Sequence, residues 1–314
     1  MGAWAPHRSE DAIARAARRL GVEARCFDVL RRTRQFGPLA APVLARAISR
    51  YDPDFILCTR HAWRLGLPRL QALLRGRRSA LWYFDAIEHE GSLAVGQACD
   101  AMYTTYAGQV ALWRARGVPT VRFLPQGVDP DVDRPATAIR EPDRCDASFI
   151  GSGQYPHRWP LLQAVAHAVT LKVWGPYWDA APSDIPVAGG RIVGERFAEV
   201  VAASIVSLGA NAVAAQDDEI ASASNRMWKI LACGGAYVGP HVRGIEALAA
   251  DGEHCRWYRT TEECVAIVRA LAADPAAARA MAERGRAHAL AHHTYDARLR
   301  LLLEDQEMPL PTSV

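Results

Sequence analysis

The chain has 314 residues, of which 50% are hydrophobic and 23% are charged, and its formal net charge is +3. That length favours two domains of about 150 residues each. Because the net charge is small and the arginines are interspersed with acidic residues and alanines, the composition does not indicate a nucleic-acid partner. No window approaches the roughly 18 uncharged apolar residues of a membrane span, so we expect no integral membrane segment.

The seven cysteines are widely spaced and include no C-x-x-C pair or other zinc-binding spacing. Reduced thiols in a cytoplasmic protein are therefore expected. We predict no metal site at the acidic run 129–133, which lies in a linker, or at the histidines of 288–293, which lack a carboxylate or thiol to complete a cage. The sequence does not define the oligomeric state.

The first half alternates helical and strand-like segments, which is typical of a parallel sheet covered by helices. The predicted strands are 22–29, 54–58, 80–84, 101–104 and 121–124, and the predicted helices are 9–20, 38–50, 68–74 and 108–117. A Rossmann-like unit normally opens with a buried strand, whereas this chain begins Met1-Gly2-Ala3-Trp4, already at the first turn. Either that strand is dispensable, or about six further residues precede Met1.

The second half repeats the alternation after a linker rich in proline and charge at 131–143. The predicted strands are 147–150, 171–174, 205–209 and 236–238, and the predicted helices are 159–168, 197–202, 227–233, 261–272 and 275–291. We therefore predict domains at 1–137 and 138–287, with a C-terminal helix in 288–314 that packs back towards the first domain.

Two motifs of the second half suit phosphate binding. Gly151-Ser152-Gly153 follows a strand and precedes Arg158 at a helix start, where backbone N–H groups and a guanidinium favour an anion. Arg226 and Lys229, three residues apart, share one face near the start of another helix. A plain turn and solvated surface residues are the alternatives. The NAD fingerprint fails at Pro156, where a third glycine is required.

The ordered motifs Phe149 to Arg158, Trp174 to Trp178, Ser224 to Gly235 and His293 to Arg298 resemble the CgeB-like glycosyltransferases, which are related to group 1 transferases and have the GT-B fold. The resemblance runs from about Leu124 to Leu303. It implies two Rossmann-like domains facing a cleft, with the nucleotide sugar held mainly by the C-terminal domain and the acceptor by the N-terminal one.

Further donor-binding residues are predicted in and around these motifs. Beyond the cations above and Gly151, they are Asn225, Tyr177, Gly234, Gly235, Gly244, Ile245 and Glu246. The family often has glutamate where this chain has Lys229, and a lysine cannot accept hydrogen bonds from ribose hydroxyls. Lys229 is therefore predicted to bind phosphate, with Glu246 as the carboxylate for donor hydroxyls. Alternatively, Glu246 serves only as a dipole partner, helix ends explain the glycines, and the aromatic cluster around Tyr177 is core.

Candidate catalytic residues follow two strands of the N-terminal half. Asp85 and His89 come after the strand 80–84, and His61 follows 54–58. Strand ends are where α/β sheets place their sites, so these side chains are predicted to orient or deprotonate an acceptor hydroxyl. A structural hydrogen bond is the alternative for each.

The sequence predicts an α/β protein of the GT-B type that acts as a glycosyltransferase of the hexosyltransferase type (class EC 2.4). Its partners would be a nucleoside diphosphate sugar as co-substrate and an unidentified acceptor, with no cofactor or bound metal. The resemblance to group 1 enzymes favours retention of anomeric configuration, although no nucleophile or base fixes it. A nucleotide-sugar 2-epimerase and a non-catalytic nucleotide-sugar-binding protein are the alternatives.

Overall fold

The structure of the protein is a computed structural model that describes residues 1–211, 224–306 and 308. It divides into two compact units. The first comprises Met1–Gln126 together with the C-terminal segment that begins at Tyr295, and the second comprises Gly127–Thr294. Each contains one parallel sheet, which confirms the α/β class. Within the described residues, no helix has the length and apolar composition needed to cross a bilayer.

The first unit alternates helices and strands. Its helices before the linker are α1 (Ser9–Arg19), α2 (Val29–Phe36), α3 (Ala40–Tyr51), α4 (Leu67–Leu74), α5 (Ser92–Ala98) and α6 (Gln109–Ala115), and its strands are β1 (Phe55–Cys58), β2 (Arg78–Tyr83), β3 (Ala101–Thr104) and β4 (Val121–Phe123). Among the described residues the sheet has the order β1-β2-β3-β4, all parallel, with Leu57 opposite Ala80 and Met102 opposite Val121. The strands are largely apolar because both faces of a parallel sheet are covered.

The predicted strand at 22–29 is wrong. Residues 22–27 form no strand, and Asp28 pairs with Gly2 only through an isolated parallel bridge. From Val29 the chain is helical, because the Asp28 carboxylate accepts the Arg31 N–H at 2.9 Å and so caps α2. The extended segment has no full-length strand beside it with which to complete a ladder.

The second unit contains the larger sheet. Its elements are β5 (Cys145–Ile150), α7 (Trp159–Ala166), β6 (Leu171–Trp174), β7 (Val187–Gly189), α8 (Glu195–Ala203), β8 (Ser204–Leu208), α9 (Asn225–Ala232), β9 (Ala236–Pro240), β10 (Arg256–Tyr258), α10 (Thr261–Ala273) and α11 (Pro275–His292). In the described part the parallel order is β10-β9-β8-β5-β6-β7. The carboxyl ends of β5, β6, β8 and β9 therefore lie at one edge, which brings their following loops together.

The last helix, α12 (Tyr295–Leu303), belongs to the first unit. Tyr295 packs edge-on against Trp82 at 6.0 Å between ring centroids, within a core that includes Leu299. Asp296 accepts two hydrogen bonds from Arg19 of α1, at 2.8 and 2.6 Å. Arg298 is buried, donates to the Pro125 carbonyl at 3.0 Å, and has its pKa lowered to about 9 by desolvation. Residues 307 and 309–314 of the predicted C-terminal segment lie outside the described residues.

Candidate functional site

Glycines pack closely in the loops that follow β5 and β6. A Cβ at Gly151 would lie 2.7 Å from the Phe149 ring and 2.9 Å from a guanidinium nitrogen of Arg226. A Cβ at Gly175, whose φ is +148°, would lie 1.8 Å from the Gly151 carbonyl oxygen. The Trp178 indole donates to that same oxygen at 3.1 Å. This corner therefore admits no side chain at either glycine, and the main chain of the two loops is in direct contact.

Two guanidiniums converge on the aromatic ring at the end of β5. The Arg158 and Arg226 guanidinium carbons lie 5.9 and 5.0 Å from the centroid of Phe149. Arg158, which is 4% exposed, donates to the carbonyls of Asn211 at 2.7 Å and Ser152 at 3.3 Å. Arg226 donates to the Ala210 carbonyl at 3.3 Å. The structure thus brings together two predicted phosphate ligands that lie 68 positions apart in the printed sequence.

Arg226 is the more unusual of the two cations. Within the described residues no carboxylate lies at ion-pair distance from it, and desolvation lowers the pKa of its guanidinium. Although Arg226 is half-buried, a charge that has lost part of its solvation is costly unless a partner compensates it. The structure therefore holds a desolvated positive charge beside the glycine loop, where an anion would be stabilised.

The residues next to Arg226 occupy different surroundings. Ser224 caps α9, its hydroxyl accepting the Arg226 N–H at 3.4 Å. The side-chain carbonyl oxygen of Asn225 is buried and has no hydrogen-bond partner within the part of the chain that the structure describes. Buried acceptors in native proteins are normally satisfied, so Asn225 offers an unused acceptor for a ligand donor.

The Lys229 side chain contacts Asp133 in the linker. Its ammonium lies 3.5 Å from the carboxylate of Asp133, a side chain only 7% exposed, and Asp133 also accepts the Asp129 N–H at 3.0 Å. Sequence analysis did not foresee this partner, since Asp133 lies 96 positions earlier. Lys229 thus neutralises a buried acid and fixes α9 against the segment that precedes the second sheet.

We expect Lys229→Met to lower the free energy of unfolding by roughly 1–3 kcal/mol, because it leaves the Asp133 carboxylate buried and uncompensated. Urea denaturation of the single variant, of Asp133→Asn and of the double variant measures the coupling. Asp133→Asn should restore most of the loss in the Lys229→Met background. Additive losses would show that the two charges do not interact.

The predicted donor carboxylate lies on a short 3₁₀ turn after β9. Glu246 is exposed and accepts from His241 at 2.9 Å, with Arg259 at 3.8 Å. Ile245 before it is fully buried, and Gly244 adopts a left-handed φ of +78° that begins the turn. Glu246 is therefore accessible, while Ile245 packs into the unit.

The glycine pair after α9 has a structural explanation. Gly234 adopts a left-handed φ of +80°, and a Cβ at Gly235 would lie 2.5 Å from Val201 and 2.9 Å from Ile230. Turn geometry and close helix packing therefore require these glycines without any ligand.

Tyr177 is separated from its aromatic neighbours. Trp174 and Trp178 are buried, whereas Tyr177 is 66% exposed, with a φ of +63° that turns it outward. Of the predicted aromatic cluster, Tyr177 alone is accessible to a ligand.

The three catalytic candidates of the first unit form one cluster around an arginine that sequence analysis missed. Arg60 donates to Asp85 at 3.0 Å and to His61 at 3.3 Å, and its guanidinium lies 2.9 Å from the ring nitrogen of His89. The other Asp85 oxygen lies 3.7 Å from His89. Arg60 lies two residues after the end of β1, so its position beyond a strand end was the available signal.

Burial, with the help of nearby positive charge, lowers the pKa of His61. Desolvation, followed by the nearby guanidiniums of Arg60 and Arg8, lowers its pKa to about 4. The unfolded chain takes up a proton at His61 below about pH 6.5, whereas the folded protein does so only near pH 4. Between these values the unfolded state binds more protons, so the folded state loses stability as the pH falls.

His61→Gln should therefore reduce the acid sensitivity of folding. Relative to the unaltered protein, we expect the variant to retain about 1–2 kcal/mol more stability on going from pH 7 to pH 4.5, after solvent screening is allowed for. Urea denaturation at both pH values measures the difference. His167→Gln, at an exposed position in the second unit, is the matched control and should follow the parent. Equal acid losses in all three proteins would contradict the assignment.

The acidic run 129–133 and the histidines of 288–293, where no metal is predicted, each make local contacts within the protein. Asp129 and Asp133 lie in a main-chain turn, with Asp133 N donating to the Asp129 carbonyl at 2.7 Å. His293 stacks on Trp228 at 3.7 Å between ring centroids, and its ring nitrogen lies 3.1 Å from that of His288. The aspartates thus form a hydrogen-bonded turn, and the histidines pack against each other and against Trp228.

Comparison with known proteins relates this geometry to a family. Residues 158–304 match the family described as Glycosyl transferase-like, which confirms the resemblance. That span includes Arg158, Arg226 and Glu246. No curated protein matches the sequence.

Several solved structures share the fold. HepE from Anabaena, solved with UDP-glucose, has a TM-score of 0.62 at 12% identity and covers 85% of this chain and 81% of its own. An α-glucosyltransferase solved with UDP has a TM-score of 0.63 at 11% identity, covering 83% and 84%. Sucrose-phosphate synthase from Thermosynechococcus elongatus has a TM-score of 0.59 at 16% identity, covering 86% and 78%. The chain is therefore similar in fold to GT-B glycosyltransferases, and its residues 158–304 are similar to the Glycosyl transferase-like family.

Proposed function

We propose that this protein is a glycosyltransferase that moves a hexosyl group from a nucleoside diphosphate sugar to an acceptor hydroxyl. The observation that carries the proposal is the convergence of Arg158 and Arg226 on Phe149, beside the tightly packed Gly151 loop. Two cations at the carboxyl edge of a parallel sheet suit a diphosphate, which accepts several charge-assisted hydrogen bonds.

These cations would also serve the reaction. As the bond between the sugar and the diphosphate breaks, negative charge grows on the leaving oxygen, and positive charges already held in place lower the barrier. Arg226 contributes more strongly than a surface arginine, because desolvation strengthens its interaction with an anion. The capped start of α9 adds its backbone N–H groups to the same region.

A uridine diphosphate sugar is the donor we propose. HepE and the α-glucosyltransferase of similar fold were solved with UDP-glucose and UDP, respectively. Asn225 supplies an unused buried acceptor, and Glu246 an exposed carboxylate for sugar or ribose hydroxyls. Exposed Tyr177 offers a stacking surface for the base. We assign Lys229, held by Asp133, to positioning α9 and with it Arg226.

We further propose that the cluster around Arg60 handles the acceptor. Asp85 is held by Arg60 through one oxygen, which leaves its second oxygen to accept a hydrogen bond from the acceptor hydroxyl. The ring nitrogens of His61 and His89 both face Arg60, so these side chains orient the cluster. We also propose that the transferred sugar keeps its anomeric configuration.

Six of the seven free cysteines are buried, which suits a cytoplasmic protein.

Thermal unfolding in the presence of nucleotide sugars tests the proposal. UDP and UDP-glucose at about 100 times their dissociation constant should stabilise the protein by about 2.7 kcal/mol, because they bind only the folded state. Product analysis should then show the sugar on an acceptor with UDP released. An epimerised sugar nucleotide, or binding without turnover across acceptor classes, would overturn the transferase proposal, and the absence of any shift would remove the donor site itself.

A further inference from the structure

The turn between α2 and α3 presents apolar side chains to solvent. Five residues of the segment 36–43 are apolar and exposed, namely Phe36, Pro38, Leu39, Pro42 and Val43. Phe36, Leu39 and Val43 are 49%, 75% and 68% exposed, respectively. Single exposed apolar residues are common on soluble proteins, whereas a continuous group of them marks an interaction surface. Residues 36–43 are called the apolar tip below.

Regular structure on both sides supports the apolar tip. In α2, Val29 and Leu30 are buried, and in α3, Leu44 and Ile48 are buried. Each helix therefore packs on the first unit with one face and leaves the other face to solvent. The two helices also contact each other. The fold thus fixes the direction in which the side chains of the tip point.

Arginines border the tip on both helices. The stretch 29–51 contains five arginines and no other charged residue, which gives it a net charge of +5. All five are exposed, and within the described residues none of them has a carboxylate at ion-pair distance; they are Arg31, Arg32, Arg34, Arg46 and Arg50. The Arg32 guanidinium carbon lies 5.9 Å from the centroid of the Phe36 ring. Arg46 follows Val43 by three positions, so the two share one face of α3.

We propose that the apolar tip and its arginines bind the surface of a membrane that contains anionic phospholipids. The tip enters the boundary between head groups and acyl chains, and the arginines stay at the level of the phosphates. Arginine suits that level, because its guanidinium forms paired hydrogen bonds with phosphate oxygens. Binding of this kind needs no segment that crosses the bilayer.

Charge and composition favour a lipid surface over two other partners. A second copy of this face would bring two groups of five arginines together, and their like charges repel. A nucleic acid would neutralise the arginines, but its phosphate backbone offers no apolar phase to the side chains of the tip. An anionic bilayer satisfies both properties of the surface.

Co-sedimentation with lipid vesicles tests the proposal and its electrostatic part. The unaltered protein should bind phosphatidylglycerol vesicles roughly tenfold or more tightly than phosphatidylcholine vesicles, and added salt should weaken that binding. The double variant Arg46→Gln/Arg50→Gln should lose roughly tenfold in affinity for phosphatidylglycerol, because both cations leave the lipid surface. Arg269→Gln/Arg279→Gln, at exposed positions of α10 and α11, is the matched control and should bind like the parent.

The apolar part is tested by a separate variant. Phe36→Ser/Leu39→Ser keeps all five arginines and should also lose roughly tenfold in affinity, because two side chains no longer enter the acyl boundary. Its matched control is Ile87→Ser/Leu112→Ser, which alters two exposed side chains elsewhere in the first unit. The melting temperature of each variant should stay within about 2 °C of the parent, since all the altered side chains are exposed.

Three results would overturn the proposal. The first is the absence of binding to phosphatidylglycerol vesicles. The second is unchanged binding by Phe36→Ser/Leu39→Ser, or tighter binding of the parent to a DNA duplex than to the vesicles, because the surface would then serve another polyanion. The third is a dimer in the absence of lipid that the same variant dissociates. None of these measurements uses a nucleotide sugar, so their outcome is independent of the proposed transfer reaction.

Discussion

Replacing Arg226 with methionine should abolish most of the affinity for UDP while leaving the free protein as stable as before. Methionine preserves the apolar packing on Phe149 and removes a charged hydrogen bond to the diphosphate, so we expect the dissociation constant for UDP to rise by roughly 10- to 100-fold. Arg226 is half-buried, and replacing a partly desolvated charge with an apolar side chain is often neutral or stabilising, so the free energy of unfolding should change by less than about 1 kcal/mol.

Titration calorimetry and urea denaturation measure these two quantities. Arg279→Met, at an exposed position of α11, is the control and should bind UDP like the parent. Unchanged affinity in Arg226→Met would remove that residue from the donor site. A large loss of stability would instead mean that the guanidinium serves the fold.

Replacing Gly175 with alanine should destabilise the second unit by roughly 3–5 kcal/mol. The new Cβ would lie 1.8 Å from the Gly151 carbonyl oxygen. The backbone at residue 175 also has a φ of +148°, which is unfavourable for alanine. The loops after β5 and β6 would have to separate, which breaks the 2.8 Å hydrogen bond from the Gly151 N–H to the Trp174 carbonyl.

Gly190→Ala is the matched control, because a Cβ there meets nothing within 4 Å. It should change the free energy of unfolding by no more than about 0.5 kcal/mol. Urea denaturation followed by tryptophan fluorescence compares the two variants. A loss below about 1 kcal/mol in Gly175→Ala would show that the two loops can move apart. The close contact between Gly175 and Gly151 would then not be needed to shape the proposed diphosphate site.

The proximity of Gly151 and Arg226 was partly predictable from the sequence, because local signals identify both positions, while their role in donor binding stays a prediction. Gly151 follows a strand that alternation identifies, and Arg226 stands at the start of an apolar helix ended by glycines. The end of a strand and the start of a helix are determined by residues close in sequence, so sequence patterns can predict both positions. Phe149, the ring on which both guanidiniums converge, was recognised only as part of a motif, since strand periodicity does not reveal what contacts a ring.

Contacts over long sequence separations were not predictable in the same way. Lys229 was assigned to phosphate, yet its ammonium lies beside Asp133, a partner that only the path of the linker reveals. Arg60 was missed as the centre of its cluster because Asp85 and His89 follow a different strand. The composition of the segment 22–29 favours a strand, but a strand needs a neighbour, and the cap at Asp28 favours a helix from Val29.

The placement of α12 determines the order in which the protein can be completed on the ribosome. The core of the first unit includes Tyr295, Leu299 and Leu302, and the Arg298 guanidinium is bonded to Pro125 inside it. Residues 1–126 therefore emerge before the second unit but remain without part of their interior until Tyr295 to Leu302 have been translated. The second unit, contiguous from Gly127 to Thr294, can close first. Released chains that end at Thr294 should thus carry a folded second unit and an unfinished first one.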